Sequence, residues 1–167
     1  ARRVNDYAKQ NWCASPYSSG GWLYSGPVGS ENISSETCKF RIYINVKSDH
    51  ITTFVSDLIR EQTSGKLQQL SFRFKLVYFK DVDAFDLMRP EKIVIYLPPQ
   101  TDYNPFLTFL KKNTDRLLDG TPLFAKPYCK GVAIAPHITE DMRSYLQVPT
   151  NSFGDATCHI IARTLLS

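Results

Sequence analysis

Three stretches of this sequence set cations opposite apolar residues. Lys39-Phe40-Arg41-Ile42-Tyr43-Ile44-Asn45-Val46 alternates strictly, and Leu70–Phe79 and Glu91–Leu97 alternate in the same way. A β-strand turns successive side chains to opposite faces. With Phe40, Ile42, Ile44, Val46, Phe72, Phe74, Leu76, Ile93, Ile95 and Leu97 facing a core, the other face carries Lys39, Arg41, Arg73, Lys75 and Lys92. Tyr43, Asn45 and Tyr96 join them, without a carboxylate. Adjacent strands lie about 4.8 Å apart, so one ligand spans these cations. Arginine offers paired donors and lysine a point charge, so the ligand that fits is an anion, most naturally a phosphate. The competing reading is a solvated basic face neutralised by loop acids such as Asp81, Asp83 and Asp86. A nucleic acid is a weaker version of the anion idea. Tyr43 and Tyr96 are suited to stacking bases, but no RNP-type sequence accompanies them, and no nucleic-acid partner is expected.

Other catalytic templates are missing. There is no Gly-rich phosphate loop and no Gly-x-Ser-x-Gly elbow. His50, His137 and His159 are scattered and read as surface or capping residues. Cys158 and His159 are adjacent, so on a helix they diverge by about 100° and do not pair as nucleophile and base. Cys13, Cys38, Cys129 and Cys158 form no CxxC pair, which argues for reduced thiols and against a zinc site.

The elements that must position these residues follow from periodicity. Ile51, Phe54, Val55, Leu58 and Ile59 trace one helix face behind a cap at Ser48 or Asp49, and Ser64-Gly65 ends it. A second helix is predicted from Pro105 to Leu118, with Phe106, Leu110 and Leu117 inward and Gly120 as the stop. An apolar segment follows at Gly131–Ala135, then a polar stretch from Thr139 to Tyr145 and a terminal helix from Asp155 to Leu166. Arg2–Trp12 reads as a short helix or the end of a preceding one, and Cys13–Glu36, rich in Ser, Gly and Pro, as loop. The expected fold is α+β, a small mixed and largely antiparallel sheet with helices packed on one face. Residues 1–36 are expected to be the tail of a longer N-terminal region, and 37–167 the folded domain.

With 167 residues, 43% hydrophobic and 22% charged, the composition is that of a soluble globular domain and excludes a disordered tail, a collagen-like fibre and a membrane bundle. Twenty basic against 16 acidic residues give a formal charge of +4. No apolar run is long enough to span a bilayer, so no membrane partner is expected. The chain opens Ala1-Arg2-Arg3 and reads as a portion of a longer protein.

Several motifs in order carry a resemblance. Arg41-Ile42-Tyr43-Ile44-Asn45, Ile93-Val94-Ile95-Tyr96-Leu97, Pro122-Leu123-Phe124-Ala125-Lys126-Pro127 with Gly131-Val132-Ala133, and Ser152-Phe153-Gly154 before a terminal helix resemble the HopA family of type III effectors, from about Trp22 to the end. Homologous domains occur in gene clusters for ribosomally made modified peptides, lanthipeptides among them. The HopA fold is in turn similar to bacterial phosphothreonine lyases, carbon–oxygen lyases that remove phosphate from phospho-Ser or phospho-Thr by β-elimination. Their first catalytic strand reads Lys-Phe-His, matched here by Lys39-Phe40-Arg41. The resemblance implies Lys75 as the base, Arg89 as a phosphate ligand and Tyr96 in the place of the lyases' strand tyrosine. Arg stands where the lyases carry their general-acid His, so either another group protonates the leaving phosphate or the chain is a silent binding module.

The chemistry is self-consistent without a metal or organic cofactor. A lysine base must be neutral, against a reference pKa of about 10.4, and neighbouring cations lower that value. Lys39 would polarise the substrate carbonyl, Tyr43 or Tyr96 would donate a proton, and Arg41, Arg73, Arg89, Lys92 and Lys126 would hold phosphate. The expected substrate is a phosphorylated peptide or protein, made by a partner kinase and converted to a dehydroamino acid. The expected location is the cytoplasm, or a host cell reached through a type III system. The alternative is a non-catalytic effector that engages a host or partner protein.

Overall fold

The computed structural model describes residues 12–15, 22–27, 38–68, 70–77, 89–99, 101–149 and 152–166. Seven strands form one sheet: β1 Trp12–Ser15, β2 Trp22–Pro27, β3 Phe40–Ile44, β4 Arg73–Val77, β5 Ile93–Leu97, β6 Lys126–Cys129 and β7 Val132–Pro136. Among the described residues four α-helices join them: α1 Ile51–Ser64, α2 Asn104–Lys112, α3 Glu140–Leu146 and α4 Phe153–Leu166. The strand order is β1-β2-β4-β5-β3-β7-β6, and every pairing described is antiparallel. The architecture is the expected α+β one.

Alternation in β3, β4 and β5 places the apolar set against α1 and α2. Ile42, Ile44, Phe74, Ile93, Ile95 and Leu97 form one core with Phe54 and Leu58 of α1 and Phe106 and Leu110 of α2. Ring edges lock the layers, with Phe54 at 5.5 Å from Phe109 and Phe72 at 5.6 Å from Phe106, the offset geometry aromatic pairs favour. The other face is not bare. Tyr43, Val94, Ala125, Ala133 and Ala135 form a second cluster there, against which Tyr96 and Phe153 pack. Phe153 also joins Ile138, Val148 and Ala156 in a third cluster, so the start of α4 rests on this face.

Several elements differ from the sequence expectations. Trp12–Ser15 and Trp22–Pro27, within or at the border of the stretch read as loop, are strands that extend the sheet beyond β4, so the sheet crosses the expected boundary at residue 36. Of the helix expected over Arg2–Trp12, residues 2–11 lie outside the described residues, and Trp12 opens β1 instead. Neither Ser48 nor Asp49 caps α1: Ser48–His50 is a 3-10 turn running into it. The second helix stops at Lys112 and is followed by a 3-10 turn, Thr114–Arg116, which carries Leu117 into the core. The polar stretch after Thr139 is itself a helix. The Thr139 hydroxyl accepts from Met142 N at 3.3 Å, which caps it despite the lack of a buried residue.

Two of the four described residues with positive φ bear on stability. Gly131, between β6 and β7, has φ +64°, and a Cβ there would meet Leu118 O at 2.4 Å and Leu117 Cβ at 3.0 Å. Phe124 has φ +72°, a region that costs a bulky residue of order 1 kcal/mol or more. Gly131→Ala combines the dihedral penalty with a backbone clash. It should lower stability by about 2–4 kcal/mol, measured by urea unfolding.

Candidate active site

The reactive face is set by register. On one row Ala135 of β7, Arg41 of β3, Tyr96 of β5 and Arg73 of β4 stand side by side. On the next stand Ala133, Tyr43, Val94 and Lys75. Arg41 and Arg73 are therefore two strand spacings apart, roughly 10 Å, as are Tyr43 and Lys75.

Arg41 is the centre of the first row. It is only 6% exposed. Its Nε donates to His137 Nδ1 at 2.8 Å, its guanidinium lies 5.2 Å from the Tyr96 ring centroid, and it donates to the Tyr43 hydroxyl. His137, 2% exposed, follows β7, and its backbone N–H donates to Lys39 O. Because Nδ1 accepts, the imidazole is neutral with its proton on Nε2. The sequence reading treated His137 as a surface or capping residue; it is a buried partner of the central cation. No local signal marks it, since only the pairing of β3 with β7 brings it to Arg41.

Lys75 is half-buried, and its pKa is brought down to about 8. Burial is the largest cause, followed by the charges of Arg41 and Arg89, while Glu91 and Asp155 act in the opposite sense. About a tenth of this lysine is therefore a neutral amine at pH 7, far more than for a lysine at its ordinary value. Tyr43 moves up, chiefly through burial, with the Arg41 charge and hydrogen bond opposing, and remains a phenol. Its oxygen accepts from Arg41, and the O–H is left to donate. Cys38, buried beside them, donates its thiol to Phe40 O at 2.9 Å, and burial raises its pKa.

The face also contains acids, contrary to the expectation from alternation. Glu91 holds Arg89, its Oε1 accepting from Nε at 3.2 Å and Nη2 at 3.0 Å. Asp155, near the start of α4, acts on Lys75. The acids suggested from sequence, Asp81, Asp83 and Asp86, lie outside the described residues.

Three expected site residues, the carbonyl-polarising Lys39 and the phosphate ligands Lys92 and Lys126, do not join this group. Lys92 shares the face but is 1% exposed, and its Nζ donates to Asn45 Oδ1 at 2.7 Å and Arg89 O at 3.2 Å. Asn45 in turn donates to Asp119 O and Gly120 O, so Lys92 ties a buried node together and does not meet solvent. Lys126 pairs in register with Ile134, which packs on the α1/α2 core, so it belongs to the opposite face. Lys39 is exposed at the start of β3, with Nζ 5.5 Å from the Phe40 ring, a ring that itself touches Tyr103 ahead of α2. Its ammonium is thus turned toward the helix side. Arg41, Tyr43, Arg73, Lys75 and Tyr96 are brought together, with Arg89 beside them.

The sequence matches a family description over residues 24–167, most of its length. The chain belongs to the HopA1 effector protein family. No curated protein matches it. Among solved structures, it is similar to the effector protein from Pseudomonas syringae pv. syringae strain 61, at 14% identity and a TM-score of 0.66, covering 99% of this chain and 69% of that one. The effector protein from Pseudomonas syringae pv. tomato strain DC3000 matches at 17% identity and 0.62, covering 99% of this chain and 58% of that one. The type III effector and phosphothreonine lyase OspF from Shigella flexneri matches at 10% identity and 0.50, covering 84% and 78%. The HopA-like fold and its likeness to a phosphothreonine lyase are thus as the sequence motifs implied. Membership of a type III effector family agrees with delivery into a host cell. No helix among the described residues is long and apolar enough to cross a membrane.

Two measurements test this electrostatic reading. Between pH 8 and lysine's ordinary range the native state binds fewer protons at Lys75 than the unfolded chain. Stability therefore rises with pH through that window, and the cost of holding Lys75 charged is full below it. Lys75→Met should be more stable than the parent at pH 7, with the gap closing toward pH 10.5, as followed by urea unfolding across pH. His137→Ala leaves Arg41 Nε buried without its acceptor. It should cost about 1–3 kcal/mol, with His137→Asn recovering part of the loss in the same assay.

Proposed function

We propose that this chain is a phospho-Ser/phospho-Thr lyase that works without a metal. The observation that carries it is Lys75: a half-buried lysine brought down to about 8 by burial and by Arg41 and Arg89, on a sheet face shared with Arg73 and two tyrosines. A structural lysine gains nothing from that placement, whereas a general base needs it.

In the proposed reaction the Lys75 amine takes the Cα proton of the phosphorylated residue. The Cα–H electron pair becomes the Cα=Cβ bond, and the Cβ–O bond breaks with its electrons on the departing phosphate. The products are dehydroalanine or dehydrobutyrine and inorganic phosphate. Arg41 and Arg73 bind the phosphate and offset its growing charge. The Tyr43 O–H, with Arg41 donating to its oxygen, supplies the leaving-group proton that the lyases' His provides. Tyr96 buttresses Arg41 through its ring. Arg89 serves after release from Glu91. The substrate is a phosphorylated peptide or protein, either a host protein or a peptide modified by a partner kinase on the way to a lanthipeptide-type product.

A second reading, a silent effector that binds phosphorylated partners, has one observation behind it: Arg41, at the position of the lyases' acid, is held by His137, Tyr43 and Tyr96 and, as a guanidinium, cannot release a proton.

Intact mass spectrometry of phosphothreonine and phosphoserine peptides incubated with the protein separates the readings. Loss of the mass of phosphoric acid that disappears in Lys75→Ala is the expected result. Retention of peptide mass with phosphate-dependent binding establishes the silent module. Loss of only the elements of metaphosphoric acid identifies a phosphatase and overturns both.

A further inference from the structure

The edge strand β6 and the end of α2 gather charge that no acid balances. Lys111 and Lys112 close α2, Lys126 opens β6 and Lys130 follows it, and all four are exposed. The two elements meet, since Lys111 Nζ lies 5.1 Å from the ring centroid of Tyr128, an exposed residue of β6. Lys126 and Lys130 stand two residues to either side of Tyr128, at most about 7 Å of chain each way. Arg60, Arg89, Arg116 and Arg143 each meet a carboxylate. Among the described residues no carboxylate pairs with any of the four lysines. Residues 111–130 hold five cations, Arg116 among them, against two acids, Asp115 and Asp119.

The same edge carries apolar side chains in water. The turn at Pro122–Ala125 runs directly into Lys126, and in it Leu123 is 76% and Phe124 40% exposed. Three residues separate Leu123 from Lys126, at most about 11 Å of chain. The turn is tied down, with Ala125 buried and its N–H donating to Pro122 O at 3.2 Å. An acidic protein or a nucleic acid would use the lysines and leave these side chains idle. A bilayer with anionic headgroups uses both. Lysine ammonium groups stay at the headgroups, Leu and Phe enter the boundary with the acyl chains, and a tyrosine suits the layer between.

We infer that the β6 edge, with the Pro122–Ala125 turn and the end of α2, docks on an anionic lipid bilayer. In the strand order β6 is outermost and stands four strands from β4, about 19 Å from Lys75. The docked protein therefore keeps its reactive face free, and the inference does not depend on the lyase reading. The expectation of no membrane partner rested on the lack of a spanning run. Resting on a surface needs cations and apolar tips instead. Each lysine close to anionic headgroups is worth about fivefold in partitioning, and two apolar tips without that charge hold a neutral bilayer weakly.

The test is co-sedimentation with vesicles of phosphatidylcholine alone, or of phosphatidylcholine with phosphatidylserine, at several salt concentrations. The protein should partition onto the phosphatidylserine vesicles at least about tenfold better than onto neutral ones, and high salt should remove most of that preference. Lys126→Glu combined with Lys130→Glu should lower partitioning by about 25-fold or more. Leu123→Ser should lower it by about fivefold. All these positions are exposed, so both variants should melt with the parent. Lys75→Ala should bind vesicles as the parent does. Failure to bind the phosphatidylserine vesicles, equal binding to both kinds, or binding that survives both edge variants overturns the proposal. Loss of binding in Lys75→Ala also overturns it, because the lipid would then sit on the reactive face. Binding to DNA or polyglutamate through Lys126 and Lys130, without binding to vesicles, overturns it in favour of an acidic macromolecule.

Discussion

The site depends on a guanidinium held where water barely reaches. A buried charge survives only when its donors are satisfied and its field is used or balanced. Arg41 meets those terms through His137, Tyr43 and Tyr96. Everything nearby registers its charge: the lysine on β4 is pushed toward neutrality, and the rise that burial forces on Tyr43 is partly reversed. Removing the charge from this position would leave burial, the larger cause, still holding Lys75 down, and would take away what opposes the rise of Tyr43. The β3–β5–β4 pairing sets the separations over which the charge acts, so the antiparallel register is as much a part of the chemistry as the side chains are.

Glu91 and Asp155 set a limit on that effect. They come from outside the strands, one just before β5 and one at the start of α4, and both favour the protonated lysine. The balance leaves Lys75 close to neutral pH, where an amine is available as a base yet its conjugate acid is still formed readily once it has taken a proton. An unopposed cation cluster would suppress the protonated form and leave the proton nowhere to rest. Glu91 also pairs with Arg89, so part of that arginine's charge is balanced in place.

Much of this was legible from periodicity, because a two-residue repeat fixes a face without knowledge of partners. Ile42 and Ile44 went to the core, and Arg41 and Tyr43 to the other side, as the alternation required. What alternation cannot give is depth and company. Lys92 obeys the same parity as Lys75, yet ends 1% exposed, because Asn45 and the Arg89 carbonyl close over it. Glu91 has the parity of Ile93 but lies outside the strand, where parity stops applying. His137 is 96 residues from Arg41 and meets it only through strand pairing. β1 and β2 escaped notice because they are short and lie in a stretch rich in Ser, Gly and Pro, which hides the strand-forming Trp22 and Tyr24; pairing of β1 with β2 and of β2 with β4 brings them into the sheet.

The low identity to the solved effectors, 14% and 17%, follows from the same division. The helix-side core requires only that alternate positions be apolar and of suitable volume, so its residues exchange freely while the sheet persists. The reactive face obeys a different rule, since each group there is tied to a charge on a neighbouring strand. Exchanging one member of such a set forces others to move. An arginine at position 41 keeps its proton at any working pH, so a chain that carries it needs an acceptor for Nε and a separate proton donor. His137 meets the first need and Tyr43 has the geometry for the second, both on the rows that Arg41 itself defines. On the proposed lyase reading, an arginine here would divide binding from proton transfer: the charge offered to phosphate would be permanent, and the donor would be a phenol one residue pair along β3.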